Sequence, residues 1–267
     1  MMELLIVAVI VAALYLLALR GRTGHPGLAG LRGWNYAHRG LHNAERPENS
    51  MSAFREALEH GYGIELDIHL MKDGNLAVIH DSSLKRTVGA DVRIEDLTLS
   101  DLEQYRLLGS GEKIPLFREV LDLYRGKAPL IVELKEAKNC DALCRAAAQM
   151  LQTYQGAYCV ESFDPRCVYW FRKNAPHVIR GQLTEDYFAS KTPIPDVLKF
   201  ILKHQLENFL TLPDFVAYRY CDVDHISNRI VRGLWGVQGV TWTLRTKEDF
   251  DTAVADHWIP IFEHFEP

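Results

Sequence analysis

Polar residues with chemical potential gather in four short stretches: His38-Arg39, Glu65-x-Asp67-x-His69, His80-Asp81 and Glu133-x-Lys135. Glu65, Asp67 and His69 stand two apart, so on an extended strand they share one face, with Leu66, Ile68 and Leu70 on the other. Glu133 and Lys135 repeat the alternation, with Val132 and Leu134 opposite. Carboxylates that project into an interior are costly unless paired or metal-bound. If Glu65, Asp67 and Glu133 converge at one mouth, they make a hard, all-oxygen site that suits Mg2+ or Ca2+ rather than zinc. An ion-pair network that merely lines the mouth is the alternative that spacing leaves open.

The elements that must hold these residues alternate in type. Strand-like runs cover Asn35–His38, Ile64–Leu70, Leu76–His80, Leu130–Lys135, Tyr158–Phe163, Val178–Leu183, Phe215–Tyr220, Val240–Leu244 and Trp258–Phe262. Helical patterns cover Ser50–His60, Leu116–Tyr124, Asp141–Tyr154, Pro165–Asn174, Asp196–Lys203, Ile226–Leu234 and Lys247–Asp256. Asp164-Pro165 supplies an N-cap followed by a proline at the first helical position. Such alternation implies a parallel sheet flanked by helices. Asp73-Gly74 marks a hairpin, which makes Leu76–His80 a partner of the second strand and leaves eight main strands. The predicted fold is therefore an α/β TIM-type (β/α)8 barrel, whose chemistry would sit at the C-terminal ends of its strands. An open doubly wound sheet is the rival, but His38-Arg39-Gly40 is not a nucleotide-binding glycine loop.

Taken together, AHRG at 37–40, PENSMSAF at 47–54, GIELDIH at 63–69, KDGNLAVIHD at 72–81 and IVELK at 131–135 resemble the glycerophosphodiester phosphodiesterase family. The resemblance continues more weakly through Glu161-Ser162-Phe163, Gly181-Gln182-Leu183 and Thr241-Trp242-Thr243. It implies a TIM barrel with one divalent metal, Mg2+ or Ca2+, on Glu65, Asp67 and Glu133, and with His38 and His80 as the catalytic histidines. It also implies that Arg39 and Lys135 bind the phosphate, that Trp242 lies near the substrate, and that Glu48 and Asn49 support the site. The implied reaction is hydrolysis of a glycerophosphodiester to an alcohol and sn-glycerol 3-phosphate. Lysophospholipase D-type cleavage of a lysolipid is the near alternative, and a non-catalytic receptor for phosphodiester headgroups the distant one. His69 shares the ligand face but is not expected to hold the metal. The family often closes its eighth strand with threonine, aspartate and proline, whereas this sequence reads Ile261-Phe262-Glu263-His264.

Length and composition agree with this frame. A chain of 267 residues, 48% of them hydrophobic, suits one barrel domain. A formal net charge of −5 argues against a nucleic-acid partner. The five cysteines are scattered and odd in number, which is a poor disulfide framework and favours a reducing compartment. Cys140 and Cys144, four apart on a helix, read as half a metal site with no second Cys/His pair to complete it.

The beginning of the chain stands apart. Leu4 to Leu19 carries no charge, so residues 1–20 are expected to form a transmembrane anchor in the lipid bilayer, 21–33 a linker, and 34–267 the barrel. Arg20, Arg22 and Arg32 follow the apolar run, which places the barrel on the cytoplasmic side of a single-pass anchor. Too few residues follow the eighth strand for a covering helix. The segment 21–33, through Leu28 and Leu31, or the end of the apolar helix, is therefore expected to pack beside strands eight and one.

Overall fold

The computed structural model describes residues 1–135 and 137–267. The elements run α1 (Met2–Ala18), β1 (Tyr36–His38), α2 (Met51–Glu59), β2 (Gly63–Leu70), β3 (Leu76–Val78), α3 (Leu99–Leu102), α4 (Phe117–Tyr124), β4 (Leu130–Leu134) and α5 (Cys140–Leu151). They continue with β5 (Tyr158–Ser162), α6 (Pro165–Asn174), β6 (Arg180–Thr184), α7 (Asp196–Lys203), α8 (Asn208–Thr211), β7 (Phe215–Arg219), α9 (Ile226–Gly233), β8 (Gln238–Leu244), α10 (Lys247–Ala255) and β9 (Ile259–Phe262). Eight strands pair in parallel in the order β1-β9-β8-β7-β6-β5-β4-β2, and β1 pairs back onto β2 to close the ring. β3 lies antiparallel on β2 outside the ring, with Ile68 opposite Val78, as the Asp73-Gly74 turn requires. This is the expected (β/α)8 barrel.

Two hydrophobic layers follow from strand alternation. Outward residues such as Leu66, Ile68, Val132 and Val160 pack under the helices with Phe54, Phe117 and Leu143. Inward residues Tyr36, Ile131, Cys159, Phe215, Val240 and Ile261 fill the N-terminal half of the barrel. A third, smaller core built from Met71, Ile79, Leu84, Ile94, Leu107 and Ile114 lies under the long connection from β3 to α4. That connection carries the His80 region, so this satellite core holds one wall of the mouth in place.

The beginning of the chain departs from expectation. α1 has 17 residues, about 25 Å of helix at ~1.5 Å per residue. Among the described residues no helix is long and apolar enough to cross a membrane, so the expected transmembrane span is not found. The physical reason lies at its last turn, which is spent on the barrel. Leu19 is fully buried with Val216, Val231 and Val237, and the Trp235 indole donates to the Leu16 carbonyl.

Residues 21–33 are not a free linker either. Pro26–Gly30 form a 3-10 turn, and the Arg22 guanidinium pairs at 2.5 Å with Asp214, itself fully buried. Leu28 and Leu31 enter the inward-facing cluster beside Tyr36, Ile179, Phe215 and Ile259. They thus pack beside residues of β1 and β9, as expected, and do so in the inward-facing layer. The flank of β9 is closed by other side chains. Phe262 meets Tyr62 at 5.0 Å and Phe265 at 5.7 Å between ring centroids, and Phe265 meets Phe250 at 5.9 Å. Tyr62 and Phe265 thus cover Phe262 of β9.

Candidate active site

β1 ends at His38, and the backbone turns at once through Arg39 and Gly40 with φ of 54° and 81°. Gly40 is needed there, since a Cβ would lie 2.9 Å from the Ala53 backbone. The turn aims the Arg39 N–H at Glu65 Oε2, 3.2 Å away, and folds the guanidinium back over the mouth. β2 supplies Glu65 and Asp67, and register sets Asp67 opposite Glu133 of β4 and Glu133 opposite Glu161 of β5. Glu65, Asp67 and Glu133 are all buried and offer oxygens within 4.8 Å of one another. Asn49, held at φ 54°, donates its side-chain amide to Asp67 Oδ2 at 2.8 Å. Lys135 Nζ reaches Glu133 at 2.8 Å and Asp67 at 3.3 Å.

The two histidines are built alike. His38 Nδ1 lies 2.5 Å from Glu263 Oε2, and His80 Nδ1 lies 2.6 Å from Asp81 Oδ1. Each carboxylate fixes its ring and leaves Nε2 as the group available for proton transfer. His38 and His80 line one small cavity of about 50 Å3 with Arg39, Glu65, Glu133, Glu161, Phe163, Leu183, Trp242 and Ile261. Phe163 and Trp242 meet edge to face at 5.6 Å and form its apolar wall. His69, by contrast, bridges Glu95 and the His80 carbonyl at 2.9 and 3.1 Å, so it braces the His80 segment and stays away from the carboxylate group.

Comparison with known proteins decides the assignment. Residues 38–261 match the model of the "Glycerophosphoryl diester phosphodiesterase family". The chain belongs to this family. It is accordingly an enzyme of the phosphoric diester hydrolase class. A glycerophosphodiester phosphodiesterase of Bacillus altitudinis is 34% identical over 165 residues, which are 57% of this chain and 66% of that relative. Glycerophosphodiester phosphodiesterase 1 of Bos taurus is 28% identical over 242 residues, which are 80% of this chain and 72% of the relative. A phosphodiesterase of Oleispira antarctica, solved in complex with the product sn-glycerol-3-phosphate, superposes with a TM-score of 0.73 at 18% identity, covering 91% of this chain and 95% of that one. That likeness is one of fold.

Within this family member the charges are unevenly held. Burial, with Asp67 and Glu133 adding to it, pushes the Glu65 carboxyl well above its ordinary range. Burial likewise pushes Glu133 up to about 7, and it pushes Glu161 well above the ordinary range with Glu133 adding. At Asp67 burial acts the same way but is overcome by Lys135 and Arg39, which hold the carboxyl well below its usual value. Glu161 Oε2 is buried without a hydrogen-bond partner among the described residues, and Asp67 Oδ1 has only the ion pair with Lys135 at 3.3 Å. Crowded, orphaned carboxylate oxygens of this kind fit a hard divalent cation, the donor set that Mg2+ or Ca2+ takes. Glu65, Asp67 and Glu133 would hold it, and Lys135 now serves as their cation.

Several site residues carry no role in the sequence reading. Glu161 was legible in principle, because Cys159 and Glu161 alternate on β5 as Ile131 and Glu133 do on β4. Glu263 appears in the sequence only as a departure from the family's ending, yet it orients His38 and is itself held by Arg245 at 2.7 Å. Arg86 has no local signal at all. It joins Glu48 at 2.7 Å to Asp81 at 2.6 Å, and Glu48 in turn holds Arg39 at 2.9 Å. Against the effect of burial, the two arginines hold the Glu48 carboxyl down to about 2. This chain of ion pairs connects the Arg39 turn to the His80 segment across the mouth.

Proposed function

We propose that the enzyme hydrolyses glycerophosphodiesters to an alcohol and sn-glycerol 3-phosphate, with His38 and His80 as the proton-transfer pair. The carrying observation is that both rings, each clamped by a carboxylate at Nδ1, line one cavity with Glu65 and Glu133, whose oxygens lie within 4.8 Å of those of Asp67. Arg39 Nε makes no hydrogen bond among the described residues, only a long ion pair with Asp67 at 3.4 Å, so the guanidinium can turn to donate to a non-bridging phosphate oxygen. Lys135 adds charge on the other side of the carboxylates. When bound on Glu65, Asp67 and Glu133, a divalent cation, Mg2+ or Ca2+, supplies Lewis-acid polarisation of the phosphoryl group. One histidine takes the proton of the nucleophile and the other protonates the departing oxygen. Burial lowers both rings from their ordinary value, His80 to about 4, so both start neutral at pH 7. An anionic phosphodiester beside them raises the proton affinity of the ring that acts as acid. Phe163, Leu183 and Trp242 give the glycerol carbons an apolar surface and exclude water from the reacting centre.

The exposed apolar residues of α1, among them Leu4, Leu5, Ile6, Val9, Ile10 and Leu14, form a surface larger than an isolated patch needs to be. We propose that they rest in the cytoplasmic surface of a lipid bilayer, where exposed Arg20 and Arg32 would meet anionic headgroups. The helix joins the barrel at its N-terminal end, through Leu19 and Gly21, opposite the mouth. That placement, with the small cavity, favours a water-soluble diester over a lysolipid drawn from the same bilayer.

The test is release of sn-glycerol 3-phosphate and choline from glycerophosphocholine, and of choline and lysophosphatidic acid from lysophosphatidylcholine, with Mg2+, with Ca2+ and with chelator. Turnover of the first substrate that chelator abolishes is the expected result. No turnover of any glycerophosphodiester with either metal, or full turnover in chelator, would overturn the reading. Sedimentation with anionic vesicles, lost when α1 carries charged replacements for Ile6 and Ile10, checks the lipid contact.

A further inference from the structure

Three thiols outside the catalytic mouth meet at one point. Cys140 is the first residue of α5, Cys144 lies one turn on, and Cys167 comes from the first turn of α6. Cys140 Sγ is 2.8 Å from Cys167 Sγ and 3.7 Å from Cys144 Sγ, and all three sulfurs lie within 4.8 Å of one another. Cys144 and Cys167 are fully buried, while Cys140 keeps one side toward solvent. Even carbon atoms rest at about 3.5–4.0 Å, so two uncharged thiols gain nothing from a closer approach. The approach calls for a shared bonding partner. A disulfide would use two sulfurs and leave the third without a reason to converge. A metal with sulfur bonds of about 2.3 Å spaces its tetrahedral ligands about 3.8 Å apart; Cys140 and Cys144 stand at that spacing, 3.7 Å, and Cys167 would reach it by drawing back about 1 Å from its 2.8 Å approach to Cys140.

The surroundings suit thiolates. The cluster lies at the first turns of α5 and α6, and a helix start stabilises a thiolate. Arg166 is close by, although it is paired with Asp164 at 2.6 Å, so the pair adds little net charge. Cys159 inside the barrel and Cys221 at the surface take no part.

We propose that Cys140, Cys144 and Cys167 form a three-thiolate site for a soft, zinc-class divalent cation, its fourth position open to solvent beside Cys140. Such an ion joins the segment after β4 to the segment after β5. Lys135 and Phe163, both of the catalytic cavity region, lie on these two segments. The site is thus a structural staple next to the mouth, chemically distinct from the all-oxygen group inside it.

The experiment uses the full chain in reducing buffer with Mg2+ in excess, titrated with Co2+. The expected result is a thiolate-to-cobalt charge-transfer absorption that saturates at a single equivalent and is reversed by Zn2+. Cys140→Ser and Cys144→Ala should each abolish it, and Cys221→Ser should leave it intact. Circular dichroism of the half-buried Cys140→Ser variant separates lost ligation from lost folding. No absorption in the wild type, or an absorption that survives both variants, overturns the site. So does a Cys140–Cys167 disulfide peptide recovered in its place from protein alkylated under reducing conditions.

Discussion

Glu263→Gln tests the way this site prepares a histidine. Glu263 does not line the cavity; it acts through His38 Nδ1 at 2.5 Å and is held from behind by Arg245 at 2.7 Å. A hydrogen bond to a charged group is worth about 1.5–3 kcal/mol. If it serves only to orient and polarise His38 in the transition state, its loss should lower kcat by about 10–150-fold, since ~1.4 kcal/mol is tenfold. KM should move by less than about threefold, because substrate meets none of the changed atoms. The pH profile carries the sharper signature. Burial lowers the His38 pKa and Arg39 adds to that, while the hydrogen bond and charge of Glu263 raise it. Removing the charge therefore moves the limb owed to His38 toward lower pH, whichever proton-transfer role the ring plays. Glu263→Asp, which keeps the charge, should recover part of both effects. The assay is steady-state release of sn-glycerol 3-phosphate across pH at saturating metal. A kcat within about threefold of wild type with both limbs unmoved would refute the reasoning.

His80→Ala should reduce kcat by about 10²–10⁴-fold, the usual contribution of a positioned proton donor or acceptor, and near-normal turnover would remove His80 from the mechanism. Stability of the metal-stripped chain should fall as pH rises. Glu133 titrates at about 7 in the fold against an ordinary 4.5, so between those values the native state holds a proton that the unfolded chain has released. Added Mg2+ needs the ionised form, so its increase in Tm should be larger at about pH 8 than at about pH 5, and an equal increase at both would refute the ligand assignment. Leu31→Ala, at a position only 1% exposed, should cost about 2–5 kcal/mol by chemical denaturation, and an unchanged midpoint would show that this packing is dispensable.

The fold and the centre of the site were legible in the sequence because both rest on local periodicity. Alternation with period two placed Glu65 and Asp67 on one face of β2 and Glu133 on the matching face of β4, and parallel register then set Asp67 beside Glu133. The Asp73-Gly74 turn removed β3 from the strand count, which left eight strands to close. Asn49, Arg39 and Lys135, singled out by the motif, all lie within reach of Asp67. Hydropathy alone did not show where the apolar run ends, since an uncharged run looks the same whether its last residues lie in lipid or dock on Val216 and Val237.

What tertiary structure alone decided are contacts between residues far apart in the chain. Glu263 meets His38 across 225 positions, and Arg86 meets Glu48 across 38. Leu28 and Leu31 meet Tyr36 and Ile259 in the inward-facing layer, while Phe265 covers Phe262. Cys167 completes a cluster that Cys140 and Cys144 only begin. The sequence determined which face each strand presents, because that follows from bonds between neighbours. Which side chains meet there depends on how the ring closes, and closure is a property of the whole chain.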